Sequence, residues 1–214
     1  MNRRDAIKSL GLGAGYALAA PSIFSLLQSC KNEPVFTPVF LNAGQGHALQ
    51  KIVDLIIPSD ELVPGANELN VPQFVDGFWN DILKPEDQEM VRMGFTVLES
   101  NFKNTFDKEL ADGKSEDFDK MLAKYLKTTK EEQQAYQNKM GEFGQAYEKD
   151  KTATPDQDAA TFSLLSQIRG MTIWGWKTTE EIGENVLAYD PIPGVGKGCI
   201  TIEEATGGKA YSIQ

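Results

Sequence analysis

"NAGQGHALQKIVDLIIPSDELVPGANELNVPQFVDGFW", residues 42–79, reads as helix, stop, turn and helix, and this order decides the fold class. Leu49, Ile52, Val53, Ile56 and Ile57 recur at spacings of three and four, which lays one apolar stripe along a helix beginning at Asn42. Pro58 stops it, because proline lacks the N–H that a helix interior needs and disfavours helical geometry in the residue before it. Pro64 and Gly65 stand at the centre of the following connection, a pair suited to a tight reversal. A second helix starts at Val71 or Pro72 and is expected to turn Phe74, Val75, Phe78, Trp79, Ile82 and Leu83 inward.

The same period continues downstream. Pro85 is placed to open a third helix, with Glu86 and Asp87 favourable in its first turn, and the apolar face runs through Met90, Phe95, Val97, Leu98, Phe102 and Phe106. Ser115, with Glu116 and Asp117, has the character of a cap before Phe118, Met121, Leu122, Tyr125 and Leu126. Residues 128–158 predict a solvated helix to about Tyr147 and then a loop. Thr161 to Ile182 is the strongest remaining helical stretch, with Gly170 and Gly175 as expected interruptions. Strand alternation of useful length is missing before Gly198. The tail from Ala188 mixes proline and glycine with short apolar pairs, which predicts an extended strap across the helices and a small hairpin at Gly207 and Gly208. The expectation is a mostly α, single helical domain over 41–214 with an irregular Gly/Pro-rich C-terminal strap.

Upstream of that domain lies an address. Arg3 and Arg4, followed by Ile7 and Lys8, reproduce a twin-arginine pattern, and from Ser9 to Cys30 no residue is charged. The stretch is rich in Gly, Ala and Ser, so it is only moderately apolar, which suits the twin-arginine route. Leu27, Gln28, Ser29 and Cys30 resemble a lipoprotein box, in which the Cys30 thiol becomes the lipidated first residue of the mature chain. A second acyl chain makes such an anchor stable, because one chain alone is marginal. An uncleaved membrane anchor is the competing reading; Pro21 and the glycines speak against a durable span. The expected organisation is a signal over 1–29, a tether over 30–40, and a membrane-anchored lipoprotein in the periplasm or cell envelope.

Charge narrows the partners. The formal charge is −10 for the full chain and becomes about −12 once Arg3, Arg4 and Lys8 leave together with Asp5. Nucleic acid needs a basic footprint, so it is excluded, and an anionic bilayer repels such a surface, so lipid has to hold the protein there. Cys199 then stands alone and is expected to be a buried small hydrophobe, with packing instead of a disulfide supplying stability.

Catalytic motifs do not assemble. "PGVGKGC", residues 193–199, lacks the first glycine of a phosphate loop and has Gly198 where Ser or Thr would hold magnesium. Gly11, Gly13 and Gly15 lack dinucleotide spacing. His47 is the single histidine and its neighbours offer no ligand at helical spacing, which favours a structural or surface role. Trp174 and Trp176 stand two apart, so in a helix they cannot share one buried face; a surface position where tryptophan anchors interfaces and a broad core contact under the C-terminal strap are equal and compatible readings of the pair.

Two stretches carry a resemblance. "ALQKIVDLIIPSDELVPGANELNVPQFVDGFW" ends a helix in Ile-Pro, follows with a Pro-Gly-Ala turn and continues into a Val-x-x-Phe-Val-Asp helix; "FSLLSQIRGMTIWGWKTTEEIGENVLAYDPIPGVGKGCI" runs from an aromatic helix into Tyr-Asp-Pro-x-Pro-Gly and a Gly-Cys step. With the twin-arginine start, the chain resembles the gluconate 2-dehydrogenase subunit 3 family, small or gamma subunits of membrane-associated flavin-dependent sugar dehydrogenases, outside a variable middle from about Lys84 to Asp158. The resemblance implies a subunit without catalytic, cofactor-binding or metal residues of its own. Its partner would be a large flavoprotein of glucose-methanol-choline (GMC) type that binds FAD and oxidises a sugar, sugar acid or glycoside, with a cytochrome c as a possible electron acceptor. The small subunit would supply the export address and stay bound. Candidate interface positions are Pro64, Gly65, Trp174, Trp176, Tyr189, Pro191, Pro193 and Gly194. A lipid-anchored protein that binds a glycan or other ligand by itself is the alternative, and an enzyme in its own right comes last.

Overall fold

The first helix, α1 (Ala43–Ile56), begins where Asn42 and Gln45 satisfy each other's backbone N–H groups in a capping box. The computed structural model describes residues 36–191, 194, 196 and 198–212. Among them follow α2 (Val71–Asp81), α3 (Pro85–Phe106), a 3-10 turn (Leu110–Asp112), α4 (Ser115–Leu126), α5 (Lys130–Lys149), α6 (Gln157–Lys177), a π turn (Glu181–Val186) and the short α7 (Ile202–Thr206). Among the described residues, β-pairing amounts to one isolated parallel bridge between Ala188 and Tyr211. Arg3, Arg4 and Cys30 lie outside the described residues, as does Pro193.

Helix boundaries follow local chemistry. Pro85 occupies the first turn of α3, where its missing N–H costs nothing, and Asp107 closes the helix in the left-handed conformation. Ser115 is the first helical residue of α4; the preceding Lys114 holds the cap position, and its N–H donates to the Asp117 carboxylate at 3.1 Å. Thr129 and Glu132 form a second capping box for α5. Asp156 accepts the Ala159 N–H at 3.0 Å and starts α6 four residues earlier than periodicity suggests.

Helix α6 is the centre of the bundle and packs against α1, α2, α3, α4 and α5. That position explains its weak amphipathicity, because Ala159, Ala160, Phe162, Leu164, Leu165, Ile168, Thr172 and Gly175 are buried on several sides of one helix. Gly170 and Gly175 do not interrupt it. Gly175 lies where α2 crosses closely, and Gly170 faces open space. Leu49 and Ile52 of α1, Val75 and Trp79 of α2, Phe95 and Phe102 of α3, and Phe118 and Tyr125 of α4 complete the core. Each fully buried side chain of this size contributes about 1.5–3 kcal/mol of transfer free energy.

The C-terminal region departs from the expected hairpin. Thr201 caps α7, and Gly207 ends it with φ 62°, a left-handed turn that glycine adopts without strain. Gly208 follows at φ 80°, so the glycine pair terminates a helix and joins no antiparallel strands.

Candidate functional site

The turn after α1 is built by its own short side chains. Asp60 Oδ1 accepts the N–H groups of Leu62 and Val63, both at 2.8 Å, and these two donors hold its carboxyl below the usual carboxylate range. Ser59 Oγ accepts the Gly65 N–H at 3.0 Å, and a Cβ on Gly65 would stand 2.4 Å from the Ser59 nitrogen, so only glycine fits this approach. The Ala66 N–H then donates to Ile57 O at 2.9 Å and closes the loop beneath buried Ala66.

Trp176 locks that turn to the far end of α6. Its Nε1–H donates to Pro64 O at 3.0 Å, across 112 residues of sequence. At the preceding residue, a Cβ on Gly175 would stand 2.7 Å from Phe74 Cδ1 and 3.3 Å from Val71 Cγ1, which shows how tightly α6 and α2 meet. Trp174 leaves the opposite way. It is 43% exposed and packs its ring against Phe74 at 5.1 Å and Phe78 at 5.7 Å.

Phe74 and Trp174, both exposed, and the half-buried Phe78 make an aromatic patch at the surface. Phe74 and Ile82, expected inside, are exposed instead, because the buried stripe of α2 is Val71, Pro72, Val75, Asp76 and Trp79. Aromatic rings held by neighbours lose little side-chain freedom on association, which is what an interface anchor needs. The structure thus brings Trp176 to the Pro64–Gly65 turn, while Trp174 packs apart from it on Phe74 and Phe78. Tyr189 lies in a groove of about 200 Å³ with Lys177, Thr179, Glu184 and Ser212. Pro191 and Gly194 are exposed on the tail.

Asp76 carries a role that periodicity could not assign. Its buried carboxylate accepts the N–H of Val39 at 2.6 Å, of Phe40 at 3.2 Å and of Leu41 at 3.0 Å. Arg92 of α3 covers Phe40 from outside, with its guanidinium 4.0 Å from the ring centre and Nη1 donating to Phe40 O at 3.2 Å. The expected tether over 30–40 therefore ends in residues fixed to α2.

A buried polar hub joins α3, α4 and α6. Asn101 Nδ2 donates to Tyr125 Oη at 2.6 Å and to Thr161 Oγ1 at 2.9 Å, while the Tyr125 hydroxyl donates to Asp158. Burial first, and then the Asp158 carboxylate, push the Tyr125 phenol up, so it remains a donor. The buried members Asn101, Tyr125 and Thr161 are hydrogen-bonded to one another and to the bundle, a structural arrangement, and Asp158 closes the hub at the surface. His47 is likewise structural, its Nε2–H donating to Gly113 O at 2.8 Å beside Phe118. Cys199 is exposed, contrary to the expected buried position, because the glycine-rich tail around it adds no core layer.

A groove of about 450 Å³ runs between α3, α5 and α6, lined by Met90, Met93, Met140, Phe143 and Leu164 with Asp87, Ser163 and Gln167 as its polar groups. Among the described residues, no three His, Cys, Asp or Glu side chains are grouped to hold a metal ion. The sequence model described as gluconate 2-dehydrogenase subunit 3 matches residues 43–194, from the first residue of α1 into the glycine-rich tail. Neither a curated protein nor a solved structure matches the chain significantly.

Proposed function

The chain belongs to the gluconate 2-dehydrogenase subunit 3 family, and from that premise we propose that it is the export and docking subunit of a GMC-type, FAD-dependent dehydrogenase acting on a sugar, sugar acid or glycoside. The family makes it an accessory subunit of a gluconate 2-dehydrogenase-type complex. In our reading, the twin-arginine segment with Arg3 and Arg4 carries the folded complex out, Cys30 anchors it by lipid in the cell envelope, and FAD, substrate and turnover belong to the large subunit. Electrons leave that subunit for an acceptor such as a cytochrome c. No helix among the described residues is long and apolar enough to cross a membrane.

The observation that carries this reading is the surface ring cluster of exposed Phe74 and Trp174 with half-buried Phe78 on a rigid base. The base consists of the Trp176–Pro64 hydrogen bond and the close α2–α6 crossing at Gly175. A glycan-binding role fits less well. A sugar ring presents a hydroxyl on most carbons, and the groove between α3, α5 and α6 offers it methionines with few polar partners.

Tagged protein recovered from membranes of cells grown on sugars is expected to bring down a yellow, FAD-containing large subunit. Trp174→Ala is expected to weaken that recovery about tenfold or more, as loss of an aromatic anchor does. Repeated recovery of the chain alone, or reduction of a dye by the isolated chain with a carbohydrate, would overturn the proposal.

A further inference from the structure

Residues 39–41 present three successive backbone N–H groups with no helix or strand to receive them, since they precede the cap of α1. A concave run of N–H groups binds an anion, and an ionised carboxylate has room for about four acceptor bonds. Asp76 supplies that anion from within α2, at 2.6–3.2 Å from each nitrogen, and such charge-assisted bonds are about twice as strong as neutral ones. Arg92 adds a hold on Phe40 from α3, on ring and carbonyl together. Asp76 stands two residues from Phe74 and two from Phe78, which on a helix is about 200° of rotation in either direction. One side of α2 therefore grips the N-terminal segment while the other presents the aromatic patch.

We infer that Asp76 and Arg92 form a latch that fastens the N-terminal segment to the helix bearing the docking patch. The chain entering the bundle is then held from Val39 onward. Opening the latch adds about 10 Å of chain before the Asn42 cap. If the bundle is anchored as proposed, the latch sets through which helix it is held. The patch's role rests on the proposed docking function, but the latch itself is read without any partner.

Hydrogen–deuterium exchange on the full chain in detergent tests it directly. In Asp76→Asn, which keeps the shape of the side chain and removes its charge, the amides of Val39, Phe40 and Leu41 are expected to exchange on the order of tenfold faster or more, while α1, α3 and α6 keep their protection. Arg92→Ala, at an exposed position, is expected to accelerate the same amides to a smaller degree. Unchanged exchange at 39–41 in Asp76→Asn overturns the inference, as does acceleration spread over all helices. Should Asp76→Asn fail to fold, Arg92→Ala decides, and unaltered amides at 39–41 in that variant overturn it. Recovery of the unaltered chain without a flavoprotein, together with the expected exchange pattern, would count against the docking reading and leave the latch standing.

Discussion

Placing the same alanine at two glycines of α6 should move stability in opposite directions. Gly170 faces open space, with no atom within 4 Å of a Cβ built there, so Gly170→Ala gains only helix propensity, about 1 kcal/mol. Gly175→Ala gains the same amount but drives a methyl to 2.7 Å from Phe74 Cδ1, 3.0 Å from Phe74 Cε1 and 3.3 Å from Val71 Cγ1. Val71 is buried and cannot retreat; Phe74 can move only toward solvent, away from Trp174. Overpacking of this kind costs about 1–3 kcal/mol, so Gly175→Ala comes out between neutral and about 2 kcal/mol destabilised. The propensity gain is common to both variants, so the difference between them, about 1–3 kcal/mol, isolates the steric contact. Urea denaturation with unchanged m values measures it, and in a scan each kcal/mol appears as about 2–4 °C in Tm for a domain of this size. If the two variants are equally stable, the close crossing of α2 and α6 is wrong, and with it the rigid base of the patch.

Trp176→Phe keeps the ring's bulk and removes the donor to Pro64 O, which is expected to cost about 0.5–1.5 kcal/mol in urea denaturation and to loosen the 58–66 turn in hydrogen exchange. Tyr125→Phe takes one hydroxyl out of the buried hub; Asn101 keeps Thr161 as a partner, and the half-exposed Lys124 and Asp158 regain water, so about 1–3 kcal/mol is expected by the same measurement. Asp117 titrates below the usual range, held there by the Lys108 ammonium and then by the Lys114 N–H. A carboxyl that ionises more easily when folded contributes fully above its unfolded pKa, near about pH 4, and loses that contribution as pH falls through its lowered value. Asp117→Asn is therefore expected to lower Tm at neutral pH and to flatten the acid limb of the Tm profile below about pH 4.

Helix positions were legible because their causes are local. Asn42, Pro58, Pro72 and Pro85 act through groups within four residues, and the apolar stripes of α1, α3 and α4 repeat at the period of the helix. The split between Trp174 and Trp176 was legible for the same reason, since residues two apart cannot share a face. Misreadings arose where a distant element intervenes. Glycine at 175 looks like a helix breaker in one dimension, and only the crossing of α2 shows why no side chain fits there. Phe74 and Ile82 look like core residues by period, and only the choice of Trp79 and Asp76 for the buried stripe turns them outward. Gly207 and Gly208 suit a hairpin or a helix end equally well, and the Thr201 and Glu204 capping box decides for the helix.

By itself the sequence determined the helical class, most helix starts, the acidic surface and the family, all of which depend on residue type and short spacing. Tertiary structure alone decided that Trp176 reaches Pro64, that Phe74, Phe78 and Trp174 share one surface, and that Asp76 receives Val39, Phe40 and Leu41. Those contacts join residues more than thirty positions apart, except within the Phe74–Phe78 pair. Which distant groups meet is set by how the helices pack around α6, a collective result of burial that no local window of the chain contains.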